Sequence, residues 1–234
     1  MHVPDGFLDA PTSIATGVVA AAAIAVALRG ARRELDDRTA PMAGLVAAFV
    51  FAAQMINFPV GAGTSGHLLG GAMAAVLVGP YTAALCLAVV LLVQGLLFAD
   101  GGITALGTNI TLFSVVAVGA GWLVFRGFQA VLPKKLGLVP VLAGVAALVS
   151  VPVTAAAFVA LFALGGQAPV PLDSLLTAML GWHVLIGIGE ALITALVLSS
   201  VVAARPDLVR GARPLLAGRT LEIRTAATVR EATS

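Results

Sequence analysis

Long apolar segments alternate with short polar segments along most of the chain. A bilayer core about 30 Å thick requires roughly 20 mainly apolar residues in each helix that crosses it. Seven segments are candidates for such helices: 11–28, 41–57, 67–79, 80–98, 104–125, 136–164 and 173–204. The third is short and ends at Gly79-Pro80, so a re-entrant segment is the alternative there. The pattern predicts an all-α, polytopic membrane helical bundle of about seven transmembrane helices.

The composition supports a membrane protein and argues against a soluble domain. Hydrophobic residues make up 60% of the 234 positions and charged residues only 10%, and the mean hydropathy is +1.07. Ordinary soluble domains are less apolar and carry about 25% charged residues. The formal net charge of +2 is too small to indicate a nucleic-acid partner. We expect a multi-pass protein of the cell membrane in contact with lipid.

The positions of the basic residues predict the orientation. All 13 lysines and arginines lie in 29–38, in 126–135 or after residue 204. With seven spans and the N-terminus outside, all three regions face the cytoplasm, as the positive-inside rule requires. A re-entrant 67–79 would place the last two regions outside. We therefore expect one membrane domain, 1–204, followed by a basic cytoplasmic tail, 205–234.

The first apolar segment does not have the charge order of a signal peptide. No lysine or arginine precedes it, whereas Arg29, Arg32 and Arg33 follow it. Signal peptides carry their positive charge before the apolar segment. We expect the first helix, and the loop 1–10 before it, to remain in the protein.

The chain begins with three nitrogens that can chelate one metal ion. The Met1 amine, the deprotonated amide nitrogen of His2 and the His2 ring are linked by short bonds, so that one ion closes two small rings. Square-planar nitrogen sites suit Ni(II) or Cu(II). Metal binding requires deprotonated ligands. Pro4 fixes its own φ and turns the chain away, so the fourth ligand comes from elsewhere.

His67 is the candidate for that fourth ligand. It follows Gly66 in an uncharged segment, where Thr64 and Ser65 can orient its ring. The alternative is that His2 is a solvated terminal residue and His67 a loop histidine bound by ordinary hydrogen bonds.

Several other polar residues are candidates for supporting the site. Asp5 could accept a proton from a ligand imidazole, and Asn57 and Asn109 could orient the N-terminal loop. Glu190 lies seven residues after His183, hence on the same helix face. Ionisable residues inside a membrane are costly without a partner or a function. This pair could support the metal or stabilise helix packing.

The chain resembles the CbiM/NikM family, the substrate-binding membrane components of energy-coupling factor transporters for cobalt and nickel. Four motifs carry the resemblance: Met1-His2-Val3-Pro4-Asp5-Gly6-Phe7-Leu8, Gly63-Thr64-Ser65-Gly66-His67-Leu68-Leu69-Gly70-Gly71, Gln94-Gly95-Leu96-Leu97-Phe98-Ala99-Asp100-Gly101-Gly102 and Gly107-Thr108-Asn109. The resemblance implies seven helices, an N-terminal segment tucked into the bundle, and a metal held by Met1, His2 and His67. Cobalt-type members often have histidine where this chain has Asp100, which favours the nickel-type branch.

The sequence provides no means of using ATP. It contains no G-x-x-x-x-G-K-[ST] phosphate loop, so concentrative import needs energy from other subunits. The resemblance implies a transmembrane coupling subunit, two cytoplasmic ATPase subunits and often a small auxiliary membrane subunit, which together supply metal for cobalamin synthesis or nickel enzymes. Neither a bound cofactor nor enzymatic activity is expected.

Three other functions are alternatives. A self-sufficient metal carrier would need no ATPase. An intramembrane metalloenzyme is disfavoured because the chain has no H-E-x-x-H motif, and four planar nitrogens leave poor access for a catalytic water. An ion channel is disfavoured because conduction requires weak ligands.

Overall fold

The computed structural model describes residues 1–37, 39–61 and 64–216. These ranges contain nine α-helices: α1 Ala10–Ala31, α2 Ala40–Gln54, α3 Gly71–Val78, α4 Pro80–Leu97, α5 Leu106–Ile110, α6 Val118–Val131, α7 Val139–Gly165, α8 Leu172–Ala204 and α9 Arg213–Leu216. A π-helical segment, Thr111–Ala117, joins α5 to α6. Short 3-10 turns cover Leu136–Leu138, Pro206–Leu208 and Arg210–Ala212.

Five helical runs are long and apolar enough to cross a membrane. They are Ala10–Ala31, Pro80–Leu97, Leu106–Val131, Leu136–Gly165 and Leu172–Ala204. The 15-residue α2 is apolar but shorter. The eight-residue α3, which begins four residues after His67, is buried along its whole length. At 1.5 Å per residue α3 is about 12 Å long, so the predicted segment 67–79 is only partly helical.

Sequence signals explain where several helices begin. The Asp9 carboxylate accepts a hydrogen bond from the Thr12 amide at 2.9 Å and so caps α1, as short polar side chains do at N-caps. Pro11, Pro80 and Pro140 lie in the first turns of α1, α4 and α7, where a missing amide proton costs nothing. Capping and the apolar segments together define the helices of the bundle.

A short hairpin precedes α3. Strands β1, Phe58–Gly61, and β2, Thr64–Gly66, are antiparallel, and Pro59 pairs with Ser65. The hairpin occupies the uncharged segment expected to bend before His67. It presents the Ser65 backbone to the N-terminus of the chain.

The N-terminal segment, residues 1–9, lies inside the bundle. Met1 and Val3 are buried, and the Phe7 ring contacts Phe158 and Phe162 of α7 at centroid distances of 5.6 and 4.9 Å. Backbone hydrogen bonds tie the segment down: the Asp9 amide donates to the Gly165 carbonyl at 2.7 Å. Burial of the first residues brings the terminal amine into the protein core.

Residues 205–216 pack against the end of the bundle at which α1 and α6 terminate. Val209 and Ala212 are fully buried. The side-chain amide of Gln129 donates to the Gly211 carbonyl at 2.8 Å, and Arg213 pairs with Asp36 at 3.1 Å. The rest of the predicted tail, 217–234, lies outside the described residues.

Candidate metal centre

The Met1 amine is buried against the β-hairpin. It donates to the Ser65 carbonyl oxygen and to Ser65 Oγ, the latter at 3.0 Å. Burial lowers the pKa of the amine from 8.0 to about 4, although the charge of Asp100 opposes the shift. At neutral pH the amine is therefore a free base, the form that binds a metal ion.

The rings of His2 and His67 lie against each other. Their centroids are 4.5 Å apart and their planes differ by 24°. His67 Nδ1 lies 2.9 Å from the Leu68 carbonyl oxygen, so this nitrogen carries the proton and Nε2 keeps a free lone pair. His67 Nε2 is buried and has no hydrogen-bond partner among the described residues, which suits a ligand nitrogen.

His2 is bound by a carboxylate. His2 Nδ1 lies 3.0 Å from Asp100 Oδ1. Burial lowers the pKa of His2, whereas the hydrogen bond to Asp100 raises it. The same hydrogen bond lowers the pKa of Asp100, so that Asp100 is a carboxylate at neutral pH. A negative charge thus stands beside two neutral nitrogen bases.

The His2 ring can close a small chelate ring only through Nδ1, because Nε2 is too far from the amide nitrogen of its own residue. An incoming ion must therefore compete with Asp100 for Nδ1. The lone pair of an imidazole nitrogen lies in the plane of its ring. Because the rings of His2 and His67 are stacked, their lone pairs do not converge on one point, and one ring must rotate before both can bind the same ion. Within the described ranges the His2 amide N–H has no acceptor, so its proton can leave without breaking a hydrogen bond.

Phe113 completes a cluster of three rings that contact one another. It lies 5.2 Å from the His2 ring and 5.7 Å from the His67 ring, nearly parallel to both. It belongs to the π-helical segment Thr111–Ala117. Its apolar face keeps water from one side of the site and limits how far either imidazole can tilt.

A cleft of about 460 Å³ leads to His2. Its walls are His2, Pro4, Asn57, Pro59, Gly61, Thr64, Ser65, Asp100 and Gly101. Asp100 also accepts a hydrogen bond from the side-chain amide of Asn57 at 3.4 Å. A cation that enters the cleft therefore meets the Asp100 carboxylate next to His2.

The predicted supporting residues take different places. Asn109 binds the Val3 backbone twice, at 2.7 and 3.1 Å. The Thr64 hydroxyl donates to the Gly61 carbonyl at 2.8 Å and contacts the Met179 sulfur at 3.4 Å. The Asp5 carboxylate accepts from the amide and the hydroxyl of Thr104 at 2.7 and 2.6 Å. In this structure Asp100, and not Asp5, is the carboxylate that contacts an imidazole.

Glu190 and His183 lie on α8 behind the site. The Glu190 carboxylate accepts from the amides of Leu69 and Gly70 at 2.7 and 2.9 Å, and so holds the backbone that follows His67. His183 is fully buried, and its Nδ1 lies 2.7 Å from the Met179 carbonyl oxygen, one turn earlier. Glu190 supports the His67 loop, whereas the polar contact of His183 is within its own helix.

Side chains alone do not make a metal cluster in the described part of the chain: no three His, Cys, Asp or Glu residues converge there. The candidate set differs because two of its nitrogens belong to the main chain. Sequence reasoning included these nitrogens but missed the contacts of Asp100 and Phe113. The position of Asp100 directly before Gly101-Gly102 could have indicated that Asp100 contacts the site. No feature of the apolar segment around Phe113 indicates that Phe113 does.

Comparisons with known proteins agree with a metal-transport role. Residues 2–208 match the family model CbiM, described as "Cobalt uptake substrate-specific transmembrane region". A protein named for metal transport in Haloquadratum walsbyi is 41% identical over 211 residues, which are 89% of this chain and 93% of that one. The fused nickel transport protein NikMN of Rhodobacter capsulatus is 33% identical over 226 residues, 89% of this chain and 63% of that one.

A solved structure has the same fold. The crystal structure of a truncated transition metal transporter superposes with a TM-score of 0.80 at 28% identity, and the match covers 87% of this chain and 99% of that one. The relatives and the shared fold are those of metal transporters and not of enzymes.

Proposed function

The chain belongs to the CbiM family of cobalt uptake transmembrane regions, and we propose that it is the substrate-binding membrane subunit of a transporter that imports Ni²⁺ or Co²⁺. The observation that carries the proposal is the meeting of the Met1 amine, His2 and His67 in one buried place. His67 lies far along the chain from Met1 and His2, and a stability role alone does not require a buried, uncharged terminal amine.

In the proposed site four nitrogens hold the ion. They come from the Met1 amine, the amide and Nδ1 of His2, and Nε2 of His67. The ion enters through the cleft beside Asp100 and displaces the amide proton of His2. The proton that His2 Nδ1 donates to Asp100 moves to Nε2, so that the ring stays neutral and Nδ1 is free to bind the ion. Because the bound complex keeps a net positive charge, the nearby Asp100 carboxylate favours binding electrostatically.

We propose nickel as the preferred ion. A planar set of four nitrogens suits Ni(II) better than Co(II). Asp100 also stands where, by the family resemblance, cobalt-type members often have histidine. Titration of the purified protein with Ni(II), Co(II), Cu(II) and Zn(II) tests this preference directly.

We propose seven membrane spans, with the N-terminus outside and the C-terminus in the cytoplasm. The five long helical runs and α2 supply six spans, and α3 with the loop before it supplies the seventh. This arrangement puts the basic segments 29–38, 126–135 and 205–234 on the cytoplasmic side, as the positive-inside rule favours. Cysteine labelling of residues in each loop from either side of the membrane tests it.

The energy for import comes, in this proposal, from other subunits of an energy-coupling factor transporter. The chain has no phosphate-binding loop. We assign ATP hydrolysis to two cytoplasmic ATPases, which act through a transmembrane coupling subunit, with a small auxiliary membrane subunit as a further partner. The second candidate function is a self-sufficient carrier, which the absence of a nucleotide motif equally allows.

Reconstitution distinguishes the two candidates. The purified chain in liposomes should bind radioactive nickel without accumulating it. Concentrative, ATP-dependent uptake should appear when the coupling and ATPase subunits are added. Accumulation by the chain alone, without ATP, would contradict the multi-subunit proposal and favour the self-sufficient carrier.

A further inference from the structure

A basic pocket lies at the other end of α1 from the metal centre. Its volume is about 310 Å³, and its walls are Val26, Arg29, Gly30, Arg33, Glu34, Tyr81 and Arg210. Helix α1 has 22 residues, so at 1.5 Å per residue it separates this pocket from the N-terminal site by about 33 Å. The pocket therefore has no direct contact with the metal ligands.

The three arginines of the pocket have no partner among the described residues. Arg29, Arg33 and Arg210 form no ion pair or side-chain hydrogen bond within the described ranges. Outside the pocket, Arg205 pairs with Asp207 at 2.8 Å and Arg213 with Asp36 at 3.1 Å. Three guanidinium groups around one cavity repel one another unless an anion joins them.

The one acid in the pocket does not satisfy the arginines. Glu34 is buried, and one carboxylate oxygen accepts from the Thr82 amide and the Thr82 hydroxyl at 2.8 and 2.9 Å. It thus caps the first turn of α4, which begins at Pro80. The pocket keeps a formal charge of +2, because three arginines stand against one glutamate.

The wall of the pocket continues into a lipid-facing surface. Val26 is 53% exposed and Tyr81 is 43% exposed. The Tyr81 ring lies directly over Gly30, where an added Cβ would clash with it. The outer face of α1 between the N-terminal site and the pocket is apolar and exposed through Ile14 and Val18. Acyl chains can therefore lie along α1 directly beneath the arginines.

We propose that this pocket binds the phosphodiester headgroup of an anionic phospholipid. The length of α1 matches the hydrocarbon core of about 30 Å, so residues near its end lie at headgroup depth. Arginine recognises phosphate through several N–H donors in a fixed geometry, and basic pockets between membrane helices bind anionic headgroups. The inference requires only that the chain lies in a bilayer and is independent of the metal chemistry.

The test compares lipids and variants of the full chain in detergent. Native mass spectrometry measures retention of phosphatidylglycerol and of phosphatidylcholine, and thermal unfolding is followed with each lipid. We expect preferential retention of phosphatidylglycerol, reduced roughly thirtyfold by the double substitution Arg29→Gln and Arg33→Gln, and reduced also by Arg210→Gln. Arg205→Gln is the matched control, because Arg205 is paired and lies outside the pocket.

Four outcomes would overturn the proposal. Equal retention of the two lipids removes the anionic preference, and equal loss in Arg205→Gln shows a general charge effect. Stabilisation by inorganic phosphate alone, as strong as by phosphatidylglycerol, makes the pocket a site for free anions. If the double variant retains phosphatidylglycerol fully, the arginines serve another occupant, such as an acidic protein partner. The thermal unfolding transition of each variant without added lipid shows that it is folded.

Discussion

The side-chain amide of Asn109 binds both polar groups of the Val3 backbone. Its oxygen accepts from the Val3 amide at 2.7 Å, and its nitrogen donates to the Val3 carbonyl at 3.1 Å. The same carbonyl accepts from the Gly102 amide at 2.9 Å. Val3 directly follows His2, so these bonds fix the position from which the proposed chelate is built.

Asn109→Ala should weaken nickel binding about tenfold, because the backbone next to His2 loses its fixed position. Two buried backbone groups also lose a partner, which should lower the free energy of unfolding by about 2 kcal/mol. Equilibrium dialysis and thermal unfolding measure the two effects. Asn57→Ala is the control: its single contact, at 3.4 Å to Asp100, is long and exposed, so its effect should be small. Equal effects of the two substitutions would contradict this role of Asn109.

One residue added before Met1 should abolish tight nickel binding. The amine becomes an amide, and the added residue has no room because Met1 is fully buried beside Ser65. Dialysis against radioactive nickel measures the loss, and intact-mass measurement shows whether Met1 is free and unformylated. A tag at the C-terminus is the control. Native affinity in the extended protein would rule out the amine as a ligand.

Substitution should separate the three histidines. His2→Ala and His67→Ala should each remove high-affinity nickel binding. His183→Ala should leave the metal bound and lower the free energy of unfolding by about 2 kcal/mol, because it empties a buried volume in α8. Nickel titration and thermal unfolding of the three variants test this. Unchanged nickel uptake by cells that carry His67→Ala would exclude His67 as the fourth ligand.

Glu190→Ala should loosen the loop that carries His67. The amides of Leu69 and Gly70 lose their acceptor, which should destabilise the protein by about 2 kcal/mol and weaken nickel binding. Glu190→Gln keeps one acceptor oxygen and should have a smaller effect on both measurements. If Glu190→Ala changed stability but left the nickel affinity intact, Glu190 would be important for packing alone.

Nickel affinity should fall with decreasing pH in two stages. The pKa of the Met1 amine is lowered to about 4 and the pKa of His2 is also lowered, so both nitrogens are already deprotonated at neutral pH. Near pH 7 only the amide proton is then displaced, and the affinity should fall about tenfold per pH unit. The decrease should steepen as pH falls toward 4, where the amine itself takes up a proton. Calorimetric titration in buffers of different pH measures the slope; a slope of two or more near pH 7 would mean that the amine is charged there.

The sequence predicted the parts of the molecule that depend on local composition. Apolar segments located the long helices, and the spacing of Met1, His2 and Gly66-His67 indicated groups that the fold brings together. Segment 67–79 was harder to interpret, because a loop and the short α3 are both largely apolar there. This segment is buried by the helices around it, and its burial cannot be predicted from the local sequence pattern.

Contacts between distant segments were less accessible from the sequence. Asp100 and His2 are 98 positions apart, and their contact depends on how the loop after α4 meets the N-terminal segment. The π-helical segment that turns Phe113 toward both imidazoles has no composition of its own, since its extra residue per turn arises from packing. Such features follow from the tertiary structure and could not be derived before it.

The hydrogen bonds from the amides of Leu69 and Gly70 to Glu190 connect α8 mechanically to the metal centre. Helix α8 has 33 residues and is therefore about 50 Å long, and Ala204 at its end lies about 21 Å along the axis from Glu190. Residues 205–216 directly follow α8. A displacement of these residues can therefore be transmitted along α8 to the backbone next to His67. A tilt of α8 is therefore expected to shift the backbone that follows His67, although Ala204 at the other end of the helix is far from the proposed site.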